Sequence, residues 1–316
     1  MIKYIKPILL IISSLALISC NGVNDDSLPS VQRSVYNNQL GPLCWPTQLT
    51  KEQGKFIITD YKNNRFLIQE NGKWVQSKIN IHGAHSLATD KKGNYIIDDT
   101  ENNRIIITNK LDNSSIIKQI TSVNGTNINR PHAVAVSKNG DIYIIDSLRL
   151  LKVSNDYEKI SELWFKSGVL GYARSLKIID NELYVVNSSS GNLIKIIDFD
   201  KGIYKEIKTS SHKINDGAGS YDRTGPIIND IDKFNGWFYA SNYFTKSWAN
   251  GTPTEEKRLI RWKKWEDFEK GNFQDVSYLI PSGQLPYFMA NKDGELLITT
   301  FNHEHPCQNE SALIIK

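Results

Sequence analysis

The sequence predicts an all-β fold, a six-bladed β-propeller, and three observations lead there. One short pattern recurs six times at intervals of roughly 40 to 60 residues, the spacing of repeat architectures. Each copy, with the gap behind it, reads as four short strands separated by turns bearing Gly, Asn or Asp. Helical periodicity is almost absent. An array of β-sandwiches would not preserve one register six times, whereas a ring of four-stranded blades requires it.

In chain order the first element is a leader. Lys3 and Lys6 precede the apolar run PILLIISSLALIS, which is too short and too early for an ordinary membrane span. The run closes on Leu17, Ile18, Ser19 and Cys20, which resembles a bacterial lipobox. Cys20 is therefore the expected site of acylation, with palmitate as a suitable label, and becomes the first residue of the mature chain. Two or three acyl chains anchor a protein stably, since each buried methylene contributes about 0.8 kcal/mol. Residues 21–34, NGVNDDSLPSVQRS, are polar and aperiodic and read as a tether. Asn21 is not the Asp that commonly retains lipoproteins at an inner membrane, so an outer-membrane location, on the periplasmic side or at the surface, is favoured. The expected organisation is a lipoprotein signal peptide over 1–19, a lipidated flexible tether over 20–34 and one propeller over 35–316.

The stretch RSVYNNQL, residues 33–40, has no partner in its own neighbourhood. It is expected to supply the outer strand of blade six and close the ring. Closure matters because an open ring leaves strand edges unpaired and apolar faces wet.

The copies follow. PTQLTKEQGKFIITDYKNNRFLI starts at 46, AHSLATDKKGNYIIDDTENNRIII at 84 and PHAVAVSKNGDIYIIDSLRLLKV at 131. ARSLKIIDNELYVVNSSSGNLIKI starts at 173, INDIDKFNGWFYASNYF at 228 and PYFMANKDGELLITTFNHEHP at 286. GKWVQSKIN, ISELWFK and GIYKEIK are further strand-like runs between them. These copies resemble NHL-type blades: Pro-x-x-apolar-Ala, then Gly-x-apolar-Tyr-apolar-x-Asp, then Asn-x-Arg. The Asn-Asn-Arg ending is complete in the first two copies. The Asp and Asn residues of DDTENNR are expected to tie the blade's own turn together rather than to hold a ligand.

Charge excludes a nucleic-acid footprint. Lys and Arg number 38 against 34 Asp and Glu, and loss of the leader's two lysines leaves a net charge of +2. The one basic, aromatic segment, EEKRLIRWKKWEDFEKGNF at 255–273, reads as a strand with one packed face followed by a turn.

Aligning the copies on His132 brings Thr47, His85, His132, Arg174, Asn229 and Tyr287 to one position, the start of each innermost strand. A propeller places these starts around one end of its central channel, so the six side chains form a polar ring. Solvated channel residues would satisfy the same pattern, but two His and one Arg on adjacent blades point to a site. His85 and His132 titrate near neutrality and suit acid or base roles. Arg174 offers a planar donor fork, and Tyr287 and Asn229 can orient a ligand. These residues fit hydrolase or lyase chemistry, with His85, His132, Arg174 and Tyr287 as the catalytic candidates. They fit recognition of an acidic small molecule equally well.

Two resemblances imply different metals. The Pro-His-x-Val-Ala form at His132 is similar to the histidine motifs of the peptidyl-hydroxyglycine amidating-lyase propeller, which implies zinc on His85 and His132. A third such motif is missing, and His303 or His305 would have to complete the set. The segment IINDIDKFNGWFYASNYF is similar to the Asn-Asp blade of paraoxonase and gluconolactonase propellers, which implies calcium on Asn229 with Asp230 beside it. Calcium asks for six to eight oxygens, normally with carboxylates among them.

Trp248, with Tyr243 and Phe244, lies in a long turn on the ring's face and could overhang the channel. Two cysteines remain after Cys20, and two in an exported chain suggest one disulfide. Cys44 enters the innermost strand of blade one and Cys307 follows the second strand of blade six, so the propeller puts them on one face of neighbouring blades. The paraoxonase resemblance implies the same bridge; two free thiols are the alternative. The reading is thus a membrane-anchored, monomeric, exported propeller that binds a small molecule, peptide or protein partner at the channel face. The other reading is a metal-assisted hydrolase or lyase.

Overall fold

The computed structural model describes residues 28–188, 192–209, 227–242, 257–302 and 304–316. Cys20 with the leader, the Tyr243, Phe244 and Trp248 overhang, and His303 lie outside the described residues. The described residues form six four-stranded antiparallel sheets. The chain opens with β1 (Val31–Ser34). Blade one is β2 (Pro46–Glu52), β3 (Lys55–Asp60), β4 (Arg65–Glu70) and β5 (Lys73–Gln76). Blade two is β6 (Leu87–Thr89), β7 (Tyr95–Asp99), β8 (Arg104–Thr108) and β9 (Ile116–Ile120). A small hairpin, β10 (Ser122–Val123) and β11 (Thr126–Asn127), leads out of it. Blade three is β12 (Ala133–Val136), β13 (Ile142–Ile145), β14 (Leu150–Val153) and β15 (Ile160–Leu163). Blade four is β16 (Ala173–Ile179), β17 (Glu182–Asn187), β18 (Asn192–Asp198) and β19 (Ile203–Ile207). Blade five is β20 (Ile228–Phe234), β21 (Trp237–Asn242), β22 (Leu259–Trp262) and β23 (Gln274–Asp275). Blade six is β24 (Gln284–Lys292), β25 (Glu295–Asn302) and β26 (Ser311–Ile315), completed by β1.

Packing follows from the sequence runs. A blade's middle strands are covered on both faces by its neighbours, so runs such as FIITD, YIIDD and IYII are apolar without alternation. Each adjacent pair of blades shares one apolar cluster. Leu49, Ile58 and Leu67 meet Leu297 and Ile314 across blades one and six. Ile97 and Ile106 meet Ile57 and Phe66 across blades one and two. Equivalent clusters join blades two to three, three to four, four to five and five to six. The ring is held by six interfaces rather than one central core, which leaves the channel residues available for other work.

The turn after each second strand explains the Asp and Asn-Asn-Arg signature. Asp60 Oδ1 accepts the Cys44 N–H at 2.7 Å, and its Oδ2 accepts from Asn63 and from Arg65 Nε. Asp99 repeats this with the His82 N–H, Asn102 and Arg104. Asn64 and Asn103 sit at φ 52° and 51°, the left-handed region that Asn tolerates. Their side-chain oxygens accept Gly83 N–H and Arg130 N–H, the entry loops of the next blades. The Asp ties its own blade's turn, as expected of DDTENNR, and the Asn adds a blade-to-blade tie beyond that expectation.

Closure occurs where expected in kind but earlier in sequence. Val31 pairs with Ile315 and Ser34 with Leu313, and Ser30 and Lys316 exchange backbone bonds beyond them. The closing strand thus lies within the last residues of the polar stretch read as tether, and barely overlaps 33–40. The open edge of β26 offers backbone partners, which a strand needs more than it needs an apolar sequence. Tyr36 and Leu40, beyond it, pack instead against Trp74 in the blade-six to blade-one cluster. The Cys44–Cys307 bridge forms at the same seam.

The basic segment also differs from expectation. Its strand, β22, is buried on both faces, and WEDFEK forms a short helix α1 (Trp265–Lys270) ended by Gly271 at φ 74°. Trp262, Trp265, Phe268 and Phe273 pack together there, so the aromatics serve the core. Arg258 is buried and donates to four carbonyls, those of Ser277, Ile280, Pro281 and Gln284.

Candidate functional site

The polar ring owes its geometry to irregular backbone. The ladder skips Thr47 in β2, Arg174 in β16 and Asn229 in β20, and skips Tyr287 and Phe288 in β24. These are β-bulges, which leave a residue unpaired and re-aim its side chain. His85 and His132 stand just ahead of β6 and β12. The His85 N–H is held by Asp98 Oδ1 at 2.6 Å, and the His132 N–H by the Ile145 carbonyl at 2.8 Å.

His85 and His132 come together, with ring centroids 3.9 Å apart. They are 4% and 1% exposed, so the alternative of simple solvated channel residues does not describe them. Tyr61 lies 4.4 Å from His85, Tyr172 meets His132 edge-on at 5.2 Å, and Tyr287 and Phe288 lie 6.2 Å and 6.4 Å from the pair. Arg174 stacks on Tyr172 at 4.7 Å and donates from Nη1 to the Tyr287 hydroxyl at 3.1 Å. Glu101 receives both Nη groups of Arg130 and the Tyr61 hydroxyl, bracing the rim between blades one and three. Sequence reasoning missed Tyr61, Tyr172, Phe288, Glu101 and Arg130. Tyr61 follows the Asp of copy one, and Tyr172 lies two residues before Arg174, so their place in the repeat could have found them.

Hydrogen bonds fix the imidazole tautomers. His132 Nδ1 lies 3.1 Å from the Arg174 carbonyl, an acceptor, so Nδ1 carries the proton. His85 Nδ1 faces the Gly83 carbonyl at 3.2 Å and Thr100 Oγ1 at 3.1 Å, whose own proton goes to the Pro131 carbonyl. Both Nε2 atoms are therefore lone-pair acceptors. His132 Nε2 is buried without a hydrogen-bond partner among the described residues. Burial, then the Arg174 charge, pushes His132 down to about 3. Burial, then His132 and Arg174, holds His85 well below its ordinary range. At neutral pH both rings are neutral.

This has a pH consequence. The folded value of His132 lies below the ordinary 6.5, so the unfolded chain takes up a proton that the folded chain refuses. The stability it contributes is complete above 6.5 and is lost as pH falls toward about 3. Relative to His132→Gln, the wild type should lose up to about 1.4 kcal/mol per pH unit in that window. Urea midpoints measured from pH 7 to 4 check this, and parallel profiles would show that the ring is not held neutral. His132→Ala, which opens a hole among buried aromatic rings, is expected to cost about 1–3 kcal/mol, more than a wet channel residue would.

The remaining candidates do other work. Thr47 is buried and donates to the His85 carbonyl at 2.7 Å, so it positions that histidine. Asp230 is fully buried, bonded to Ser175 and the Met289 N–H, and lies 2.9 Å from Lys177 Nζ. Burial raises it to about 6, against the pull of Lys177. Asn229 is fully buried, and neither atom of its carboxamide has a partner among the described residues. His305 is exposed in the turn after β25, its N–H on Asn302, and is not among the rings touching His85 or His132.

Among the described residues, which exclude His303, the donor set does not fit the metals that the resemblances imply. Zinc needs three protein ligands, and among the described residues no cluster of three His, Cys, Asp or Glu side chains forms one. Arg174 beside the histidines opposes a second cation. Calcium needs carboxylate oxygen, and Asp230 is committed to an ammonium group.

No family model matches the chain, and no curated protein matches it in sequence. Solved structures share its fold at low identity. A catalytically inactive variant of virginiamycin B lyase from Staphylococcus aureus, solved with quinupristin, is 17% identical at a TM-score of 0.56, over 85% of this chain and 93% of that one. A gluconolactonase from Xanthomonas campestris is 12% identical at a TM-score of 0.59, over 92% and 94%. A protein of unknown function from Bacteroides thetaiotaomicron is 12% identical at 0.61, over 92% and 72%. The chain is a six-bladed β-propeller, with lyase and gluconolactonase propellers among its structural neighbours.

Proposed function

We propose that this is an exported propeller, held to a membrane through Cys20, that binds an acyl-bearing small molecule or peptide at the His85–His132 end of its channel. The observation that carries the reading is the buried Nε2 of His132, without a hydrogen-bond partner among the described residues, beside a second imidazole of the same tautomer. Two neutral acceptors suit an N–H or O–H donor of the ligand. Arg174, with its planar fork, suits the adjoining carbonyl or carboxylate, and Tyr61, Tyr172 and Phe288 offer flat apolar walls. An amide or a hydroxy acid presents both halves of that pattern in one group.

The test is calorimetric titration of the purified mature domain with acetylated peptide amides and with hydroxy acids. Arg174→Ala should weaken binding about 10- to 100-fold, the loss of one charge-assisted bond in a dry site. Affinity unchanged by Arg174→Ala and His132→Gln would place the ligand elsewhere. Anchoring is checked separately: Cys20→Ser should abolish labelling by radioactive palmitate and leave the precursor uncleaved, and normal labelling would end that part of the reading.

A second reading, a lyase or hydrolase, draws on the activities named for the structural neighbours. His85 or His132 would act as base through Nε2. Their depressed proton affinity makes them weak bases until an anionic ligand offsets Arg174. Turnover of gluconolactone or a virginiamycin B-type peptide, lost in His132→Gln, would favour this reading.

A further inference from the structure

One element further down the channel, blades four, five and six converge on a single charge. Lys177 reaches inward from β16 and is largely buried. Its Nζ lies 2.9 Å from Asp230 Oδ2 and 3.7 Å from Asp232 Oδ2, and donates to the Met289 carbonyl. Asp230 also accepts from Ser175 Oγ and the Met289 N–H, and Asp232 accepts Asn291 N–H at 3.0 Å. Among the described residues the surroundings of the ammonium are therefore one carbonyl and two carboxylates, supplied by two blades, while the cation comes from a third. Hard oxygens with two negative charges are what a calcium site offers.

We propose that Lys177 is a resident cation, tethered to the chain, that stands in for a divalent ion in this channel and makes the propeller independent of metal. The chemistry of the neighbours around it explains why an ammonium can do so. It delivers one positive charge and up to three donors to oxygens that would otherwise repel one another. Burial works against the charge, but Asp230 and Asp232 more than offset it, and Lys177 stays above its ordinary value. The carboxamide of Asn229, next in sequence to Asp230 and without a partner among the described residues, is what an unused metal ligand would look like. Lys177 would fill this role whichever ligand the histidine site takes.

The experiment compares wild type, Lys177→Ala and Lys177→Met by calcium titration calorimetry and thermal unfolding. Wild type should bind no calcium through Asp230. Lys177→Ala, with the cation and its stem removed, should melt lower without calcium. It should gain one calcium site, with melting raised by about 5 °C or more at saturating ion, and Asp230→Asn in that background should remove both gains. Lys177→Met keeps the stem in the site and should be destabilised without calcium rescue. The proposal is overturned by wild-type calcium uptake that Asp230→Asn abolishes. It is overturned equally by Lys177→Ala that folds yet binds none, or that stays unfolded in millimolar calcium. A Lys177→Met as stable as wild type would overturn it as well.

Discussion

Replacing Cys44 and Cys307 together by Ser is expected to remove about 3–5 kcal/mol of stability. The bridge spans a sequence separation of 263, and the chain-entropy account assigns its largest effects to such long loops. It also sits where the ring is joined. Glu310 accepts the N–H groups of Trp45 and Cys307, so blade-one and blade-six backbones share one buried carboxylate beside the bridge. Burial raises that carboxyl to about 7. Denaturant unfolding of the double variant, compared with oxidised wild type, measures the effect. Peptide mapping of never-reduced protein supplies the prior check: alkylatable thiols at both positions would refute the bridge, and a loss below about 1 kcal/mol would show that closure rests on β1 and β26 alone.

The second large effect is expected at Arg258. Arg258→Leu preserves much of the volume but leaves the carbonyls of Ser277, Ile280, Pro281 and Gln284 without their donor in a dry environment. Each orphaned buried acceptor costs about 1–3 kcal/mol, and partial relaxation of the loop brings the expected total to about 4 kcal/mol. Because these carbonyls line the passage from blade five into blade six, the damage should appear as loss of hydrogen-exchange protection in β22 and β24. A variant within about 1 kcal/mol of wild type would mean that water replaces the guanidinium, and that the passage is not dry.

Blade number, blade order and the positions of the six inner strands were legible because each blade repeats the same physical demands. An apolar second strand must be buried twice, and in blades one to five an Asp or Asn at its end must collect an N–H group of the loop behind it. The common register of Thr47, His85, His132, Arg174, Asn229 and Tyr287 was legible for the same reason, and the structure brings four of them, His85, His132, Arg174 and Tyr287, into contact. What the repeat could not reveal were contacts between unlike copies. Tyr61, Tyr172 and Phe288 surround the histidines from three different blades, and nothing local in YKNN, GYAR or PYFM marks them as neighbours. Asp230 illustrates the opposite error. As a residue type it invites a cation, and it has one, but the cation is Lys177, a lysine that no motif singles out. The strand β1 was misplaced by a few residues because an edge strand answers to the backbone of its partner, and VQRS has no alternation to read.

The pairing of the first strand with the last also sets an order of assembly. Val31 must wait for Ile315 and Ser34 for Leu313, so the seam cannot form while the C-terminal residues are still being delivered. Blades two to five contain local hairpins and can condense early. The first-to-last pairing carries the longest loop-closure entropy in the molecule and belongs to the slow end of folding. Until it forms, β26 presents a bare edge, a template for a second chain. A short, polar VQRS segment is a weak lure for foreign strands, yet it lies ahead of the blades on the same chain at high effective concentration. Self-closure is thereby favoured over strand exchange between neighbouring molecules.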